Sequence, residues 1–125
     1  MRFLSGCLAA ATTCLIIGCG AAAPVPAEQV TQTEAAIRAA SEVGAPSIPK
    51  AALHLKMAND QLQTAKGLMN EGSNDEARLV LDRARVDAEL AIALAKEATL
   101  RTQAAEALAK VTKLRAEATP RSTAK

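Results

Sequence analysis

Aromatic side chains are almost missing from this 125-residue sequence: Phe3 is the one Phe, and there is no Tyr or Trp. Bases and sugar rings are held largely by stacking, so single-strand nucleic-acid binding of that kind is excluded and no nucleic-acid partner is expected. Cysteine is confined to Cys7, Cys14 and Cys19, so the chain beyond residue 19 holds no disulfide framework and no thiolate metal site. Histidine occurs once, at His54, with no second His or Cys to complete a ligand set, and no metal or other cofactor is expected. Charge of one sign is lacking too. Fifteen basic residues face thirteen acidic ones, a net charge of +2, and no whole-molecule field draws the chain to a polyanion. There is no Gly-rich phosphate loop and no nucleophile–base motif. Ser47 and Ser73 sit where they would cap helices, with no base beside them, and the chain reads as a non-enzyme.

What is present begins with an export signal. The amino terminus and Arg2 are positive, Phe3 to Ile17 is mostly apolar and uncharged, and Gly18 is small. The run is too short to span a bilayer, which takes about 20 apolar residues. Its last four residues, Ile16-Ile17-Gly18-Cys19, resemble the bacterial lipoprotein signal: aliphatic, aliphatic or small, small, cysteine. Leu4-Ser5-Gly6-Cys7 also fits that box, but only three residues precede it. Cys14 follows Thr13, a β-branched residue at the cleavage position. The resemblance therefore implies acylation of Cys19, removal of residues 1–18 and attachment to a membrane through acyl chains. Gly20 is not aspartate, and in lipoproteins of this type that implies transfer to the periplasmic face of the outer membrane.

Residues 19–27 contain Pro24 and Pro26 and read as an extended tether. The first helical candidate, Glu28 to Val43, is rich in alanine and ends at Gly44, Pro46 and Pro49. The second runs from Pro49 to Asn70 with an apolar stripe of Ala51, Leu55, Ala58, Leu62, Ala65 and Met69, alternating steps of four and three. Gly72 suits a left-handed helix end, and Ser73 with Glu76 forms a capping box. The third helix then meets no breaker before Pro120. Its stripe is Ala77, Leu81, Ala84, Ala88, Ala91, Ala95 and Ala98, continuing through Thr102, Ala105, Ala109, Thr112 and Ala116.

The expectation is an all-α helical hairpin domain over residues 28–119, followed by a basic tail over 120–125. Helices two and three are joined by a short turn and pack antiparallel. Residues 28–70 match 74–119 in length, which favours a long hairpin whose first arm is kinked and covers the whole third helix. The alternative is a compact three-helix bundle with an overhanging tail. The alternating charges Asp75, Arg78, Asp82, Arg85 and Glu89 read as a solvated helix face. Lys113, Arg115, Arg121 and Lys125 are the candidate contact residues for an anionic partner, and peptidoglycan or an envelope protein is the partner class. Self-association is a further partner expectation.

Several stretches resemble a known family. Glu34-Ala35-Ala36-Ile37-Arg38, the Gly44-Ala45-Pro46 break, Leu62 and Ala65 before Gly72, then Glu76-Ala77, Leu81, Ala84 and Asp87-Ala88 look like a bacterial family of domains of unknown function. Its members are Ala-rich helical envelope lipoproteins, some with a following OmpA-like peptidoglycan-binding domain. The likeness covers roughly residues 28–100, so it brings over no wall-binding domain. It implies a lipid-anchored structural or interaction protein of the envelope. A single tetratricopeptide-like helix pair is the scaffold alternative, although at least three repeats are usual. Lys125 resembles the terminal lysine of the small murein lipoprotein, which is joined to the wall. Ser122-Thr123-Ala124 departs from that protein's tail.

Overall fold

The computed structural model describes residues 23–118, and the described residues form three α-helices: α1 (Ala27–Glu42), α2 (Pro49–Asn70) and α3 (Asn74–Ala118). A short 3-10 turn, Ala45–Ser47, separates α1 from α2. The fold class is all-α, as the alanine content and the four-three stripes imply. The helix bounds lie within a residue of those read from the sequence.

The two breaks reverse the chain by the same device. Gly72 has φ +80°, the left-handed conformation an L side chain avoids. Around it Ser73 N–H donates to the Leu68 carbonyl (2.9 Å) and Gly72 N–H to the Met69 carbonyl (3.1 Å), the paired bonds of a Schellman ending. Gly44, at φ +85°, follows α1 in the same way, with its N–H on the Ser41 carbonyl at 3.1 Å. Pro49 then opens α2 at the position where a helix needs no N–H donor.

The core is mostly alanine. α2 buries Ala51, Leu55, Ala58, Leu62 and Ala65, and α3 buries Asn74, Ala77, Leu81, Ala84, Ala88, Ala91 and Ala95. With so little side chain between them the helix backbones approach closely, so most of the attraction comes from packing contact rather than from large apolar groups. α1 adds Thr33 and Ala40, with Val30 and Ile37 packed against the two halves of the core.

Where α1 lies decides between the two expected arrangements. Thr33 Oγ1 donates to the Gln29 carbonyl at 2.7 Å and lies 3.4 Å from the Leu81 carbonyl of α3. Lys66 Nζ of α2 donates to Glu34 of α1 at 2.7 Å. Val30 belongs with Leu62, Ala65, Ala77 and Leu81, while Ala40 belongs with Ala51, Leu55, Ala91 and Ala95. α1 therefore runs antiparallel to α2 and parallel to α3, in the compact three-helix arrangement. The kinked-arm hairpin is not adopted, because the Gly44 turn folds α1 back onto α2 and α3 instead of extending it along the far half of α3. That far half has no cover: residues 99–118 are all exposed, about 30 Å of bare helix at 1.5 Å per residue.

Candidate functional site

The chain leading into α1 is fastened to the start of α3. The Asn74 side-chain amide donates to the Ala23 carbonyl at 2.6 Å, and Arg78 Nη2 donates to the Pro24 carbonyl at 3.2 Å. Pro26 is buried beside them. Residues 23–26 belong to the expected extended tether, and this part of it is docked: the side chains of Asn74 and Arg78 on α3 satisfy the Ala23 and Pro24 carbonyls.

Two of the four expected contact residues lie at the opposite end. Lys113 and Arg115 sit on the exposed last turns of α3, roughly 58 Å from Asn74 along the helix axis. Lys113 Nζ approaches Glu117 at 4.0 Å, one turn on, a weak pair on a solvated face. Cys19, Arg121 and Lys125 lie outside the described residues. Of the expected site residues, Lys113 and Arg115 are thus the two the described structure places, and they share the last turns of α3. The first described residues stand at one end of the rod, and its bare basic end lies at the other.

A polar cluster that the sequence did not disclose sits on the α2–α3 edge. His54 Nδ1 and Asp87 Oδ1 are 2.8 Å apart, and Gln61 Nε2 donates to Asp87 Oδ2 at 2.8 Å. His54 and Gln61 are two turns apart on one face of α2, so they straddle Asp87 and fix the register of the two helices. The signal for it was a heptad spacing between polar residues flanking the apolar stripe. The cluster holds one imidazole and one carboxylate, and no group of three or more metal-binding side chains exists among the described residues. Its chemistry is that of a structural clasp.

A second polar link joins α1 to α2. The Lys66 ammonium hydrogen-bonds Glu34, and this bond with the accompanying charge holds the Glu34 carboxyl below its ordinary range. Where α1 and α2 leave α3, an open groove is lined by Ile48, Pro49, Lys50, Leu94 and Ala98, with the Glu97–Arg101 pair at its rim. It is shallow and continuous with the bare half of α3. No described helix is long and apolar enough to cross a membrane.

Neither a curated protein nor a solved structure matches the chain. One family does, described as a domain of unknown function (DUF4398), and it matches residues 28–107, from the first turn of α1 into the bare half of α3. Since that match takes in well over half of the sequence, the chain belongs to the DUF4398 family.

Proposed function

We propose that this is a lipid-anchored, non-catalytic protein of the bacterial envelope, in which Cys19 carries the anchor and the bare half of α3 is the contact arm. The observation that supports this reading most is the placement of Ala23 and Pro24 on Asn74 and Arg78. It holds Ala23 and Pro24 at one end of the described residues, while the exposed helix with Lys110, Lys113 and Arg115 lies at the other. A compact bundle at the anchored end and twenty uncovered residues beyond it suit a protein that reaches for something. Lys110, Lys113 and Arg115 then meet an anionic envelope surface, wall carboxylates or lipid phosphates, through screened charge.

Three acyl chains at about 0.8 kcal/mol per buried CH₂ hold firmly, where one alone is marginal. Mass spectrometry of the amino-terminal peptide tests the anchor. Acylated Cys19 is expected, with release of Cys19→Ala protein from the membrane fraction. An unmodified terminus, or a Cys19→Ala variant that stays membrane-bound, sinks it. Density fractionation separates outer from inner membrane. Co-sedimentation with purified peptidoglycan and with anionic vesicles, at low and high salt, tests the arm. Replacing Lys110, Lys113 and Arg115 by Gln is expected to weaken the salt-sensitive binding.

A further inference from the structure

Helix α3 carries a second apolar stripe on the face turned away from the core. Leu79, Val86, Leu90, Leu100, Val111 and Leu114 are all exposed, Leu100 by 64% and Leu79 by 62%. They keep the four-three spacing, with exposed Ala93, Ala104, Ala107 and Ala118 filling the intervening steps. Only Arg83 and Glu97 interrupt it. On a helix wheel this stripe lies opposite the buried Ala77, Leu81, Ala84, Ala88, Ala91 and Ala95. Unlike the core-facing stripe, it holds large side chains along the bare half as well. A helix with apolar heptads on both faces, one of them covered by its own bundle, presents the other as a coiled-coil seam.

The charges beside the stripe indicate what covers it. At seven-residue steps along one flank stand Asp75, Asp82, Glu89, Lys96, Gln103 and Lys110, acidic in the first half and basic in the second. The helix as a whole divides in the same way. Residues 74–95 hold five acidic and three basic side chains, and residues 96–118 hold five basic and three acidic. In an antiparallel pair this flank faces its own copy, so Glu89 meets Lys96 and Asp75 meets Lys110. A parallel pair in register instead sets each flank residue near the partner position five further on. Asp82 then approaches Asp87, Lys96 approaches Arg101, and Lys110 approaches Arg115, all of like sign. A seam about 58 Å long and ~10 Å wide buries on the order of 1,200 Å² over both partners, at the lower edge of specific interfaces.

We infer that a second copy of this chain covers the outward face of α3, antiparallel and related by a two-fold axis. The inference stands whether or not Cys19 is acylated. The pairing sets the basic end of each copy beside the end of its partner where Ala23 and Pro24 are docked. The two docked ends then lie far apart, and on a single membrane such a pair lies along the surface.

The test is sedimentation equilibrium of the full chain in a density-matched non-ionic detergent, over a wide concentration range. A reversible monomer–dimer equilibrium is expected. Leu100→Lys combined with Val111→Lys is expected to weaken it at least tenfold with an unchanged circular-dichroism melt in dilute solution, since both residues are exposed and touch no core. Reversing the acidic flank, Asp75→Lys with Glu89→Lys, is expected to weaken the dimer. Adding Lys96→Glu and Lys110→Glu is expected to restore it. A chain that stays monomeric, a dimer indifferent to the Leu100 and Val111 changes, or a dimer unmoved by the first charge reversal overturns the proposal.

Discussion

Alanine at the seam is chosen for its size as much as for its helix propensity. Ala84 and Ala88 are fully buried where α3 meets its neighbours, and there is no space for a larger side chain without parting the helices. Ala88→Leu is therefore expected to cost about 1–3 kcal/mol by overpacking, whereas Ala105→Leu on the bare half costs almost nothing. A thermal melt followed by circular dichroism compares the two, and equal effects would refute the placement of the seam. Polarity obeys the same division. Leu62→Asp puts an unpaired carboxylate into the core and is expected to abolish the cooperative melt, while Asp82→Ala, on an exposed face, stays within about 0.5 kcal/mol of wild type. The Glu34–Lys66 link has a pH signature. The folded-state pKa of Glu34 is depressed by Lys66, so its contribution is present above the unfolded carboxylate pKa and is lost as pH falls through the folded one. Melting wild type and Glu34→Gln side by side from neutral into the acid range is expected to show the gap between them closing. The gap is small, because both partners are partly exposed. A gap that widens on acidification contradicts the assignment.

At the scale of the element, two glycines separate conformational need from tolerance. Gly67 lies inside α2 with open space where a Cβ would go, and its φ is not positive. Gly67→Ala is expected to stabilise by up to ~1 kcal/mol. Gly72, at φ +80°, ends the same helix, and Gly72→Ala is expected to destabilise by about 1–2 kcal/mol although nothing stands in the way of its Cβ. Denaturant midpoints measure both, and the two shifts must have opposite sign. The helices and the seams of α2 and α3 were legible in the sequence because alanine and leucine at four-three steps, cut by Gly and Pro, leave few alternatives. The buried face of α1 is less legible: Thr33 and Ala40 are its buried residues, with Val30 and Ile37 packed beside them. Thr33 hides in the core by bonding its hydroxyl to the Gln29 carbonyl, which composition alone cannot disclose. Glu34 is the residue beside the seam that reaches Lys66. The clasp of His54, Gln61 and Asp87 escaped notice for a related reason: each is polar and flanks a stripe, and only the pairing of α2 with α3 brings them together.

For the whole molecule, helix lengths were a poor guide and turn chemistry a better one. Matching residues 28–70 to 74–119 suggested that every stretch of α3 must be covered, but Gly44 with Ala45 and Pro46 reverses the chain as sharply as Gly72 does. Burial then stops where the cover stops. Ala95 is buried, and Thr102, Ala105, Ala109, Thr112 and Ala116, the same stripe continued, are exposed. A helix that gains no tertiary packing over twenty residues keeps its shape only through its own backbone bonds, helix-forming residues and i,i+4 pairs such as Glu97–Arg101, each worth about 0.2–0.5 kcal/mol. It opens far more readily than the bundle. Trypsin in dilute solution is therefore expected to cut first after Arg101, Lys110, Lys113 and Arg115. Lys66, Arg78 and Arg85, which are half-buried or engaged with neighbouring helices, should resist it. The product that accumulates should hold α1, α2 and the first half of α3 and should still melt cooperatively, because all the buried residues of α3 lie before Lys96. Cleavage beginning within α1 or α2, or loss of cooperative melting once the bare half is gone, would show that the far half of α3 is packed in solution after all. Protection that appears only as concentration rises would instead mark the bare half as covered by a second copy.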